Sequence, residues 1–181
     1  GSFTLSSGTF TAPSGTMTVA GSFTVSGTPP FTHNSGTVTF DGTTTATLAC
    51  NNITFNLVTI DKSTTNSINF TVGSGCSLPL GASPTVDYSD QTLGYTTTFT
   101  LNGTLSGSGT LSITGGSETS SQTVSFGTTA VLSGFSGFSI ADATPFTTSA
   151  TTLNLGAYTT VNFDGSFTLS SGTFTAPSGT M

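Results

Sequence analysis

Residues Gly1–Met17 read GSFTLSSGTFTAPSGTM, and Gly165–Met181 repeat the same seventeen letters 164 positions later. Identity over that length does not arise by chance, so the chain reads as one tandem-repeat unit, 1–164, followed by the start of the next, 165–181. Asp164-Gly165 is then an internal joint of a longer polypeptide, and neither terminus a natural end. A shorter period lies inside the unit. Gly1-Ser-Phe-Thr-Leu returns as Gly21-Ser-Phe-Thr-Val, and Gly36-Thr-Val-Thr-Phe-Asp-Gly is echoed by Thr160-Val-Asn-Phe-Asp-Gly.

The segments SFTLSSG, TFTAPSG, TMTVAG, SFTVSG, TPPFTHNSG and TVTFDG each give a few alternating residues and then glycine, the pattern of one short strand and one turn. Phe3 and Leu5, Phe10 and Ala12, Met17 and Val19, Phe23 and Val25, and Val38 and Phe40 fall on one face of their strands. Thr4, Thr11, Thr18, Thr24 and Thr39 fall on the other. Three such segments make about twenty residues, the length of one rung of a triangular β-solenoid. The predicted fold is therefore all-β: a parallel β-solenoid, or β-helix, of about eight rungs, rising on the order of 38 Å per unit. Tandem antiparallel β-sandwich domains are the alternative. Asn52-Ile-Thr-Phe-Asn-Leu-Val-Thr-Ile-Asp reads as a longer, more apolar strand, and a bulge or excursion is expected near residues 76–95, where prolines interrupt the pattern. No stretch carries a helical apolar stripe.

Composition narrows the function classes. Only 4% of the residues are charged, with one Lys and no Arg, while Ser and Thr make up about two-fifths of the chain. Nothing is present to clamp a phosphate, a nucleic-acid backbone or an anionic membrane. The net charge of −6 comes from scattered acids whose work is solubility and mutual repulsion. The chain is far from a disordered composition, because fifteen Phe alternate with β-branched residues. No apolar run approaches the roughly twenty residues of a membrane span, and any export signal lies outside this sequence.

The run GTFTAPSGTMTVAGSFTVSGTPPFTHNSGTVTFDG, followed by NNITFNLVTIDKS, resembles the Gly/Thr/Ser-rich repeats of giant bacterial surface proteins. The likeness covers about residues 1–75. It implies a secreted, adhesin-like β-solenoid with a structural or adhesive role.

Candidate chemistry is sparse. His33, the single histidine, reads as a turn residue in Phe31-Thr-His-Asn-Ser-Gly, with no second ligand for a metal. The abundant serines have no base to activate them. Asp87 and Asp90 are the best carboxylate pair for sugar cleavage, yet such an enzyme normally recruits Arg, Lys, His or Trp as well. The expectation is that the protein is not an enzyme and carries no cofactor, with structural Ca²⁺ at the Asp41-Gly42 and Asp164-Gly165 steps as a secondary reading. Cys50 and Cys76, twenty-six residues apart, would lie about one rung apart, so a disulfide between rungs and two small buried hydrophobes both fit. Lys62 reads as a charged turn residue. Asn52, Asn69 and Asn102 begin glycosylation sequons, and the Thr-x-Thr ranks raise ice binding.

The function expected from these features is that of an extracellular or cell-surface structural repeat protein. Identical β units stack into a fibre, stalk or adhesin shaft, and the partners are copies of itself end to end, with surface glycans as further partners. A glycan- or ice-binding solenoid module is the alternative. Val161, Phe163, Asp164 and Gly165 would meet Phe3 and Leu5 of the next unit at the inter-unit junction, the opening segment continuing the sheet that contains Val161–Phe163.

Overall fold

The protein is described by a computed structural model covering residues 1–62, 67–90, 96–116, 121–141, 144–179 and 181. The chain winds through successive turns. The first carries β1 (Phe3–Leu5), β2 (Phe10–Thr11) and β3 (Thr16–Val19), and the second β4 (Phe23–Val25), β5 (Phe31–Thr32) and β6 (Thr37–Phe40). The third has two strands only, β7 (Ala46–Ala49) and β8 (Leu57–Asp61). The fourth holds β9 (Ile68–Val72), β10 (Ser77–Ala82) and β11 (Thr85–Asp90). The fifth holds β12 (Thr96–Leu101), β13 (Thr104–Ser108) and β14 (Thr110–Gly116). Then come β15 (Ser121–Phe126), β16 (Val131–Ser133) and β17 (Gly137–Ile140), and after them β18 (Phe146–Thr148), β19 (Thr152–Asn154) and β20 (Thr160–Phe163). The repeated segment supplies β21 (Phe167–Leu169) and β22 (Thr173–Thr175).

Stacking of these turns makes three faces. The first is the eight-stranded sheet β1-β4-β7-β9-β12-β15-β18-β21, and the third the seven-stranded sheet β3-β6-β8-β11-β14-β17-β20. The second face is broken into β2-β5, β10-β13-β16 and β19-β22. Every strand pairing among the described residues is parallel, which sets aside the antiparallel sandwich. The architecture is the predicted β-solenoid with fewer turns than predicted: six have three strands and one has two. The turn length explains the difference. Phe3 pairs with Phe23, twenty residues on, but Phe23 pairs with Leu48, twenty-five on, and Val72 with Leu101, twenty-nine on. Part of the difference lies in the strands, β10 and β11 having six residues each where β2 and β3 have two and four, out of reach of a count of strand-and-turn segments at the amino end.

Alternation decides which side chains face inward. Leu5, Val19, Phe23, Val25, Val38 and Phe40 are buried as expected, and so are Phe70, Phe99, Phe126, Phe138 and Phe146 along the rest of the axis. Each Phe placed there contributes roughly 1.5–3 kcal/mol of burial. Stacking multiplies contacts between turns: Phe3 lies on Phe23 at 4.7 Å between ring centroids, and Phe70 on Phe99 at 6.1 Å. Phe3, Phe10 and Met17 are only partly buried, because the first turn has a neighbour on one side only.

Corners close by two devices. Side-chain amides and hydroxyls donate to carbonyls one turn back, as from Asn56 Nδ2 to Ser35 O at 3.0 Å, Thr151 Oγ1 to Thr128 O at 2.9 Å and Thr159 Oγ1 to Ser136 O at 3.1 Å. This gives the high Thr, Ser and Asn content a structural purpose, since a corner carbonyl outside the ladder needs a donor. Glycine supplies the other device where neighbouring turns nearly touch. A Cβ on Gly36 would lie 2.1 Å from Pro13 O.

The third turn departs from the sequence reading. Its expected long strand is only β8, because Asn51 and Asn52 take left-handed φ of 48° and 62° and divert the chain. The diversion sends Phe55 inward, 3% exposed, where its ring meets Phe23 at 5.5 Å and Phe31 at 5.7 Å. The irregularity expected near 76–95 takes the form of register shifts between Pro79 and Ala82 and between Asp87 and Asp90. Residues 91–95 lie outside the described residues.

Candidate functional site

The proposed junction residues divide between two faces. Val161 and Phe163 lie on β20, paired with Phe138 and Ile140 on the third face. The chain then turns at Asp164 and Gly165, and Phe167 and Leu169, the repeats of Phe3 and Leu5, pair with Phe146 and Thr148 on the first face. The repeated segment thus begins on the sheet next to the one containing Val161–Phe163, and its opening strand extends β18. Phe163 still closes the corner, its ring 5.2 Å from that of Phe167 and 5.4 Å from that of Phe146. β21 takes on the first face the place that β1 has, and β22 on the second face the place of β2.

Cys50 and Cys76 are bonded, with their Cα atoms 4.9 Å apart. Their separation of twenty-six residues spans one turn of this part of the coil, so the bond ties the corner of the third turn to that of the fourth. Both cysteines are buried.

Lys62 is not a solvated turn residue: it is 0% exposed. Its Nζ donates to Ala20 O at 2.8 Å and also to Asp41 O, corner carbonyls of the two preceding turns. Its backbone N–H donates to Asp87 O at 2.7 Å in the next turn, and Nζ lies 5.8 Å from the centre of the Phe70 ring. Through its side chain and its backbone, this one residue joins four turns. Burial pushes the amine below its ordinary value, while the Asp41 charge raises it in part. The spacing 20, 41, 62 was the available signal, since the three positions fall on one corner at about one rung each.

The remaining candidates are ordinary surface groups. His33 Nδ1 accepts from the Ser35 N–H at 3.0 Å inside its own turn. Asp87 pairs with Asp61 on one side and Thr114 on the other; the Asp90 side chain lies outside the described residues. Among the described residues no three His, Cys, Asp or Glu side chains form a group that could hold a metal, and no helix is long and apolar enough to cross a membrane. Outward Thr and Ser do form a column on the third face. Thr18, Thr39 and Thr59 are in register, as are Thr85, Ser112, Ser139 and Asn162.

The second face holds a hollow of about 530 Å³ between the third-turn diversion and β10-β13. Asn52, Ile53, Ser77, Pro79, Asn102 and Thr104 line it, and no charged residue does. A smaller hollow of about 350 Å³ lies on the other side of Asn52 and Ile53, beside Gly27 and Pro29. Sequence reasoning missed this site, because it exists where a strand fails to form. Comparison with protein-family models, curated proteins and solved structures finds no match.

Proposed function

We propose that this chain is part of a structural repeat protein of the cell exterior, in which identical 164-residue units stack into one continuous β-solenoid serving as a fibre, stalk or adhesin shaft. The observation that carries this reading is the phase of the duplication. Leu5 and Leu169 stand at the same point of the first face, a whole number of turns apart, so a following unit can wind on without a change of face. A unit that closed part-way through a turn would force a kink or a linker at every joint. The disulfide agrees with an oxidising exterior, and the low charge with a single lysine and no arginine suits a durable polymer offering few protease sites. The function is mechanical and calls for no cofactor.

The test is a chain carrying 1–164 followed by 1–181, imaged by electron microscopy beside the single unit. Seven strand spacings predict one straight rod lengthened by about 34 Å. Two beads joined by a hinge, or two units folded back side by side, would overturn the reading.

A further inference from the structure

The hollow on the second face has a chemistry of its own, independent of whether units stack. We propose that it is a binding site for a neutral, extended oligosaccharide lying along the solenoid axis.

Shape and extent come first. Asn52 and Ile53 line both hollows, and the two sets of walls together run from Gly27 in the second turn to Thr129 in the sixth. Four strand spacings place those two ends about 19 Å apart along the axis, the span of several sugar rings in a row. The volume of the larger hollow alone is that of an ordinary ligand site.

The lining selects the class of ligand. With no charged residue on the walls, an anionic or cationic ligand gains no partner and loses water. The walls alternate hydroxyls and amides (Asn52, Ser77, Asn102, Thr104) with apolar surface (Ile53, Pro79), which matches the hydroxyl rim and C–H faces of a pyranose. The site is also pre-formed. The Asn52 N–H donates to Gly75 O at 2.9 Å, the neighbouring Cys76 is held by its disulfide, and Gly103 sits against Cys76 O so closely that a Cβ would lie 2.5 Å from it.

The main competing occupant of a gap in a sheet is a peptide added as the missing strand. Thr104 pairs with Ser77 and its N–H donates to Cys76 O, so Cys76 and Leu78 direct their backbone groups to β13 while Ser77 and Pro79 direct theirs to the gap. Pro79 has no N–H, which removes a ladder donor at the edge a peptide would need.

The experiment is an amide NMR titration of the 181-residue chain with cellohexaose, maltohexaose and chitohexaose, and with hexagalacturonate and the peptide Thr-Val-Thr-Val-Thr as comparators. At least one neutral hexasaccharide should shift the amides of Ser74–Ser77, Gly103 and Thr104. Ser77→Trp, which fills the hollow from an exposed strand position, should weaken that binding at least about tenfold, and Thr39→Trp on the third face should leave it unchanged. Thr54→Trp fills the same hollow should Ser77→Trp fail to fold. The proposal falls if none of the three neutral sugars shifts these amides, if hexagalacturonate shifts them equally, or if the peptide does so while the sugars do not.

Discussion

Leu5 and Leu169 occupy the same place in the same seventeen-residue sequence, yet Leu5 is 7% exposed and Leu169 44%. Ala12 is buried at 3%, and its repeat Ala176 is exposed. Within the turn the two copies agree: the Phe3 and Phe10 rings are 4.8 Å apart, and those of Phe167 and Phe174 are 4.9 Å apart. The local conformation is thus a property of the sequence, while burial is a property of the neighbouring turn. A turn of this solenoid is half of an interface, and its apolar face is covered by whichever turn follows.

The largest expected effect comes from the one covalent tie between turns. Replacing both Cys50 and Cys76 by Ser releases a loop of twenty-six residues and should lower stability by about 3.5 kcal/mol in chemical denaturation. Both copies of the repeat lie outside that loop, so hydrogen exchange at 3–5 and 167–169 should change less than at 48–78. The two leucines separate the copies directly. Leu5→Ala should cost about 3 kcal/mol and Leu169→Ala under about 1 kcal/mol, and equal losses would break the comparison. Adding residues 18–40 after Met181 should raise the second figure toward the first.

Glycine gives a smaller contrast in the opposite sense. Gly8 and Gly172 share a left-handed φ, 75° and 84°, but a Cβ on Gly8 meets nothing, whereas one on Gly172 would lie 1.9 Å from Ala150 O. Gly8→Ala should cost about 1 kcal/mol of backbone strain, and Gly172→Ala should cost more or unseat β22, as read by exchange of the 173–175 amides.

Least in size is the pH response. Lys62 has a folded pKa below its unfolded value, so between the two the unfolded chain binds more protons and stability should rise with pH up to about 10.5. Burial raises the Tyr158 pKa, so above about 10 the unfolded chain loses that proton first and stability should fall. Lys62→Met should remove the rise and Tyr158→Phe the fall, each measured as denaturation midpoint against pH.

Much of this coil was legible in the sequence because period-two alternation with glycine corners leaves little choice of face. Phe23, Val25, Val38 and Phe40 needed nothing more. Turn length was less legible, since alternation fixes the face on which a residue lies but not how long its strand runs, two residues in β2 and six in β10. The third turn was misread because Ile53-Thr-Phe has strand spacing, but a pocket among Phe23, Phe31 and Phe40 draws Phe55 inward. Lys62 was misread because a lone charge beside Asp61 looks solvated until two carbonyls from other turns are known to converge on it. The hollow could not be anticipated, being made by the absence of a strand.

The uneven turn lengths have one more consequence. Twenty residues or twenty-nine between paired positions advance the coil by the same strand spacing, because added residues lengthen the turn across the axis rather than along it. Such a rod is a ruler graduated in turns and indifferent to residue count. Its turns can gain or lose sequence over evolutionary time, and so acquire new surface, while the distance it spans stays fixed.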